Sequence, residues 1–242
     1  MTSDRPSVAA FRPADDRIEG ASALLEELGA EPLADPMLEP RPTGATPRED
    51  ADYAVFTSKT GVELAAENGF ETAARLCAIG GATAESLADH GYSVAVVPDT
   101  YSSTGLVERL APEVAGARVE VARSDHGSAT LLDGLEEAGA YVHETVLYEL
   151  VRPAGAGASA AAAARGELDG ALFSSSLTVE NFLAAADDRG VRAAAVAGLE
   201  AAVVGVIGEP TRATAEREGV SVDVVPDEAD FAALARAVVD RL

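Results

Sequence analysis

The blocks of this chain are written twice in the same order, and that repetition limits its fold more than any single motif does. "AFRP" followed by "LLEELGAE" returns as "VARS" followed by "GLEEAGAY", which maps Arg12 onto Arg123. "DYAVFTSKTGVE" returns as "DGALFSSSLTVE", with Phe56 on Phe173. "AIGGATAESLADHGYSVAVVPD" returns as "VIGEPTRATAEREGVSVDVVPD", with Gly80 on Gly208, Thr83 on Thr211 and Pro98 on Pro226. A duplicated unit predicts two similar lobes with a cleft between them. By itself the repeat also allows a simple cut near residue 117.

Within each copy, short apolar runs alternate with amphipathic segments. "SVAAF", "DYAVF", "LCAIG", "SVAVV", "RVEVA", "DGALF", "AVVGVIG" and "SVDVV" each precede a helical pattern, and the chain closes on "FAALARAVVDRL". Continuously apolar strands between helices indicate parallel sheets covered on both faces, an α/β class. Two segments break the rhythm: "EPLADPMLEPRP" (31–42) and "YVHETVLYELVRP" (141–153) are extended and carry Pro, as paired strands bridging the lobes would. In "AGAGASAAAAARGELDG" the start reads as a loop and the Ala run as a helix.

Charge and cysteine content remove several function classes. Forty-one Asp and Glu against 18 Lys and Arg leave a net charge of −23, so nothing presents the clustered cations that nucleic acid or anionic lipid requires. Such acidity, with Lys59 as the single lysine, resembles proteins of salt-accumulating halophilic archaea. One cysteine, Cys77, excludes an internal disulfide and a Cys-based metal cluster, and its apolar setting reads as buried packing. No apolar run approaches the roughly 18–20 residues of a membrane span, and the first residues lack a signal pattern. A cytoplasmic protein is expected.

Ligands of open parallel sheets bind beyond the carboxyl ends of the strands, where helix N-termini offer unpaired N–H groups. The polar clusters fall there in both copies: Arg12; Thr57, Ser58 and Lys59; Gly80, Gly81 and Thr83; Ser102, Ser103 and Thr104; Arg123; Ser174, Ser175 and Ser176; Gly208 and Thr211. Each Ser or Thr alone is an ordinary helix cap. Capping does not require both copies to decorate the same edge, and together the groups suit several carboxylates or phosphates. Familiar catalytic patterns are missing: no nucleophile elbow, Walker loop, dinucleotide fingerprint or H-E-x-x-H occurs. His90 reads as a helix-end cap, His143 as structural and His126 as a candidate at the ligand edge. Tyr148, near the end of the second bridging segment, carries a phenol that can act as a donor, with core packing as the plainer alternative.

In order along the chain, "RP", "FTSKTGV", "AIGGATAESLADHG", "VLY", "LFSSSLTVENF" and "VIGEPTRATAEREG" resemble the uroporphyrinogen-III synthase family over residues 8–240. The resemblance implies two α/β lobes, each a parallel sheet flanked by helices, with the first strand and helix joined to the C-terminal lobe. The implied lobes are 1–36 plus 153–242 and a continuous 40–149, with linking strands near 32–42 and 141–153. It implies a monomeric enzyme without cofactor or metal, a hydro-lyase that converts hydroxymethylbilane, a linear tetrapyrrole, to uroporphyrinogen III. Water is lost and the last pyrrole is inverted as the ring closes. Tyr148 would then be the general acid for the departing hydroxyl, with Thr57, Ser58, Thr83, Ser174, Ser175 and Thr211 as substrate contacts. The ligand-edge reading adds Arg12, Lys59, Ser102 and Ser103. The small-molecule substrate is the expected partner, with no nucleic acid or membrane; a transient contact with hydroxymethylbilane synthase would fit such a role. A non-catalytic bilobal module for an anionic small molecule is the alternative of a different class. A sugar-phosphate isomerase is disfavoured by the lack of a convincing acid and base pair.

Overall fold

The computed structural model describes residues 5–242. The chain starts with strand β1 (Ser7–Phe11), helix α1 (Asp16–Glu27) and β2 (Glu31–Ala34), then passes through β3 (Glu39–Pro42). Next come β4 (Tyr53–Phe56), α2 (Lys59–Glu67), β5 (Arg75–Ala78), α3 (Gly81–Asp89), β6 (Val94–Val96) and α4 (Ser103–Leu110). β7 (Arg118–Ser124) and α5 (Ala129–Glu137) lead into the long β8 (Tyr141–Val151). The remainder is α6 (Ala158–Ala164), β9 (Gly170–Phe173), α7 (Ser176–Asp188), α8 (Arg192–Leu199), β10 (Val203–Val206), α9 (Glu209–Arg217) and α10 (Phe231–Val239).

These elements form two compact units: the chain through Glu39 together with Val151–Leu242, and Pro40–Leu150. The first unit holds a four-stranded sheet in the order β10-β9-β1-β2, with every pair parallel. The second holds a six-stranded sheet, β3-β8-β7-β4-β5-β6, parallel from β8 to β6. The chain crosses from one unit to the other through β3 and returns along β8, and these two strands are neighbours in the second sheet.

Period-two side-chain alternation explains why the strands read as unbroken apolar runs. In the first unit Ala9, Phe11, Ala171, Phe173, Val204 and Val206 enter one core, while Val8, Ala10 and Leu172 enter another. In the second, Tyr53, Val55, Cys77, Val119 and Val121 face one core, and Ala54, Phe56, Leu76, Ala78 and Ala122 the other. Both faces of each sheet are therefore buried, which is what parallel sheets require. Phe11 and Phe173, from adjacent strands, stack at 4.5 Å between ring centroids.

The duplication persists in the backbone. Gly29 and Gly139 end the helices α1 and α5 with the same positive φ of 87°, a conformation that favours glycine. From Ala21 to Pro40 and from Leu131 to Leu150, the sequence of buried, half-buried and exposed residues is identical.

Two expectations need correction. Residues 31–42 are two strands rather than one bridge: β2 pairs in parallel with β1 in the first unit, and only β3 joins β8. The "SVDVV" segment forms a single bridge, Gly205 to Val224, instead of a strand. There the Asp223 carboxylate accepts the Val204 N–H at 2.8 Å, taking a bond that a strand partner's carbonyl would otherwise supply.

Candidate functional site

In the second unit the carboxyl ends of β4 and β5 run almost directly into α2 and α3, and β6 reaches α4 through residues 97–102. Ser58, extended at φ −156°, caps α2 by accepting the Gly61 N–H at 3.0 Å. Tyr148 lies near the end of β8 and belongs to the buried cluster that includes Phe56 and Val62, only 7% exposed. Its hydroxyl donates to Ser58 Oγ at 3.0 Å. Thr57 is half-buried, with its N–H on the Ala122 carbonyl. Lys59 opens α2, exposed, with Nζ 3.6 Å from Glu63, an exposed pair of small energetic weight.

Gly80 caps α3 without a side-chain bond, so the first-turn N–H groups meet no capping side chain; Thr83, the third residue of that helix, is buried. Ser102 caps α4 through the Gly105 N–H at 3.0 Å, and Ser103 begins the helix. Tyr101, which sequence reading passed over, is 68% exposed and lies against Gly80 and Gly81. A Cβ at Gly80 would come within 3.1 Å of its ring.

The first unit repeats the arrangement. Ser175 caps α7 in a reciprocal box with Thr178, and Ser174 Oγ donates to the Phe11 carbonyl at 2.6 Å. Gly208 caps α9 without a side chain, and Thr211 stands buried where Thr83 does. Ala229 takes the place of Tyr101, and an open pocket of about 500 Å³ lies there, lined by Gly208, Arg212, Pro226, Asp227 and Arg241. Arg12 sits over the Phe231 ring at 4.5 Å, and its buried Nε has no hydrogen-bond partner. Burial first, and the nearby charge of Arg17 second, push its guanidinium below the ordinary range.

Other candidates are engaged within their unit. Arg123 is 5% exposed; its Nε meets Glu144 Oε1 and its Nη1 meets the Ser128 carbonyl, each at 2.5 Å. The sequence could not show that this arginine is occupied by Glu144 of β8 and by its own loop. His90 Nδ1 lies 2.8 Å from the Ser86 carbonyl at the end of α3, and His143 Nδ1 2.7 Å from the buried Glu120. His126 Nδ1 is 2.9 Å from Asp125 Oδ1. Burial opposes ionisation of Asp125, yet the hydrogen bonds from His126 and the Leu150 N–H hold its carboxyl below the usual range. Burial pushes the Cys77 thiol up to about 12, which leaves it inert as a nucleophile. Among the described residues, no group of three or more His, Cys, Asp or Glu side chains is placed to hold a metal ion. No helix among them is long and apolar enough to cross a membrane.

Chemically, these edges can hold anions through backbone N–H groups and hydroxyls, and at Tyr148 they can donate a proton. Fold and site define a duplicated parallel α/β protein whose strand edges carry helix N-termini and hydroxyls in matching positions. The family model described as "Uroporphyrinogen-III synthase HemD" matches residues 19–236. The chain belongs to the uroporphyrinogen-III synthase family. A uroporphyrinogen-III synthase of Chlorobaculum parvum is 24% identical over 233 residues, covering 90% of this chain and 92% of that protein. Among solved structures, a uroporphyrinogen-III synthetase from Helicobacter pylori matches with a TM-score of 0.65 at 18% identity, over 98% of this chain and 100% of that one. A mutant uroporphyrinogen III synthase from Thermus thermophilus matches at 0.62 and 21% identity, over 98% of each chain. At such identities these structures speak for the fold.

Proposed function

We propose that this chain is a uroporphyrinogen-III synthase, a cyclising hydro-lyase that converts hydroxymethylbilane to uroporphyrinogen III. The observation that carries the reading, beside family membership, is the Tyr148 phenol held at 3.0 Å from Ser58 Oγ at the carboxyl edge of the second sheet. In this reaction the hydroxymethyl C–O bond breaks, the phenol gives its proton to the departing hydroxyl, and water leaves. The azafulvene cation that remains is already reactive, and without an enzyme it closes to the uninverted isomer. The protein's main task is then to hold the chain so that the inverted closure wins, a matter of position more than of strong acid and base chemistry.

Eight substrate carboxylates suit an array of backbone and hydroxyl donors. Gly80 and Gly208 leave first-turn N–H groups without a side-chain cap, and Thr57, Ser58, Thr83, Ser102, Ser103, Ser174, Ser175 and Thr211 add hydroxyls beside them. Arg12 and Lys59 supply positive charge. On this reading the enzyme works as a cytoplasmic monomer, needs neither cofactor nor metal, and receives its unstable substrate from hydroxymethylbilane synthase. The test supplies hydroxymethylbilane enzymatically at high salt and resolves uroporphyrin isomers I and III after oxidation. Isomer III above the uncatalysed background is expected; isomer I alone would sink the assignment.

A further inference from the structure

Tyr148 owes its place to the last residues of β8, and those residues are held in an unusual way. β7 and β8 pair in regular parallel register from Arg118–Tyr141 to Arg123–Val146, then slip by a residue so that Ser124 faces Tyr148. Just beyond the slip, the Asp125 N–H donates to the Tyr148 carbonyl at 3.2 Å. The carboxylate of the same residue accepts the Leu150 N–H at 2.9 Å through Oδ1. One aspartate thus grips the strand on both sides of Glu149. Its own loop is fixed in turn: Gly127 N–H reaches the Ser124 carbonyl, and Arg123 Nη1 donates to the Ser128 carbonyl.

The other copy of the repeat shows what the scaffold alone requires. There Pro13 bridges Leu38 as Ser124 faces Tyr148, and the Ala14 N–H donates to the Leu38 carbonyl at 2.7 Å. The backbone bond is therefore retained. The carboxylate is not, because Ala14 stands in place of Asp125. Nor is the donor, because Pro40 stands in place of Leu150 and has no N–H. Leu38 stands in place of Tyr148. The carboxylate, the N–H that it holds and the tyrosine occur together in one copy and are all absent from the other.

We infer that Asp125 is a positioning residue for Tyr148, its carboxylate pinning the end of β8 so that the phenol stays on Ser58 and aligned with the leaving hydroxyl. This rests on the reading of Tyr148 as the proton donor. Displacement of a reacting group by about 1 Å can cost on the order of 100-fold in rate, so a single pinned N–H has leverage over catalysis that its own bond energy does not suggest. A carboxylate kept only for solubility or for stability of the loop would have no reason to accompany the tyrosine.

The experiment uses the full chain with 3-fluorotyrosine incorporated, the Tyr148 resonance being assigned by its loss in Tyr148→Phe. Asp125→Ala is expected to shift or split that ¹⁹F signal and to lower kcat about tenfold with KM nearly unchanged. Asp125→Asn, whose amide oxygen can still accept from Leu150, restores most of both. In a Tyr148→Phe background, Asp125→Ala should cost almost nothing further. An unmoved Tyr148 resonance in Asp125→Ala overturns the positioning role, and so does an equal kcat loss in the two backgrounds. If Tyr148→Phe keeps full rate, the proton-donor reading fails by itself, while the ¹⁹F measurement still decides whether Asp125 places the ring.

Discussion

Ser58 Oγ receives two hydrogen bonds, one from the Tyr148 hydroxyl at 3.0 Å and one from the Gly61 N–H at 3.0 Å. A serine hydroxyl has two acceptor lone pairs and one proton, so Ser58 can accept both bonds and still offer its own proton to a third group. The helix cap at Ser58 thus orients the phenol. Tyr148→Phe removes the acid and leaves the cap. We expect kcat for isomer III to fall about 100-fold. The same change alters unfolding free energy by only about 1 kcal/mol, the net worth of one hydrogen bond. Single-turnover kinetics and urea titration on the same preparation check both halves.

Ser58 and Ser175 occupy matching caps in the two units, and this makes a controlled pair. Each accepts a first-turn N–H, from Gly61 and from Thr178 respectively. Replacement by Ala is expected to cost about 1 kcal/mol of stability at either site. Only Ser58 carries a tyrosine. Ser58→Ala should therefore lower kcat, while Ser175→Ala should show its effect in KM; equal kcat losses would contradict the orienting role of Ser58.

The duplicated βα order was legible because parallel strands buried on both faces need continuous apolar runs, and because Ser and Gly at strand ends mark helix starts. Val55, Phe56 and Ser58, and their repeats Leu172, Phe173 and Ser175, announce a strand, its end and a cap in so many letters. What stayed hidden depends on partners distant in the chain. Nothing local says that the Arg123 guanidinium is taken by Glu144 and Ser128, that Tyr101 covers Gly80, or that Asp125 reaches Leu150. The "SVDVV" run has the composition of a strand, yet Asp223 uses its side chain on Val204 and the ladder stops at one bridge. Composition records what a segment can do, and hydrogen-bond competition decides what it does.

Asp35 shows how firmly the return from β2 is tied. Its carboxylate, 3% exposed, accepts the N–H groups of Gly157 and Ser159, each at 2.8 Å, and also the Ser159 hydroxyl, capping α6 from another part of the sequence. Asp35→Ala strands those buried donors, and we expect a loss of about 3 kcal/mol. Asp35→Asn should recover part of it. Urea unfolding with hydrogen exchange at the α6 amides measures the effect, and a loss under about 1 kcal/mol would show that water replaces the carboxylate.

Cys77 supplies a pH test whose sign is fixed by its burial. Cys77 is fully buried in the core on one face of the second sheet, and removal from water pushes its thiol up to about 12, against roughly 8.5 for an exposed thiol. In the unfolded chain it ionises at the lower value, so above that pH unfolding releases a proton. Stability from this group is whole below about pH 8.5 and declines as pH rises towards 12, with a slope approaching about 1.4 kcal/mol per pH unit. Other ionisations are common to wild type and Cys77→Ala and cancel in the comparison. Urea titrations at increasing alkalinity should therefore show the stability difference between the two proteins shrinking or reversing in favour of the variant. Parallel curves would mean that the thiolate finds solvent or a donor in the folded state, and that this core admits charge.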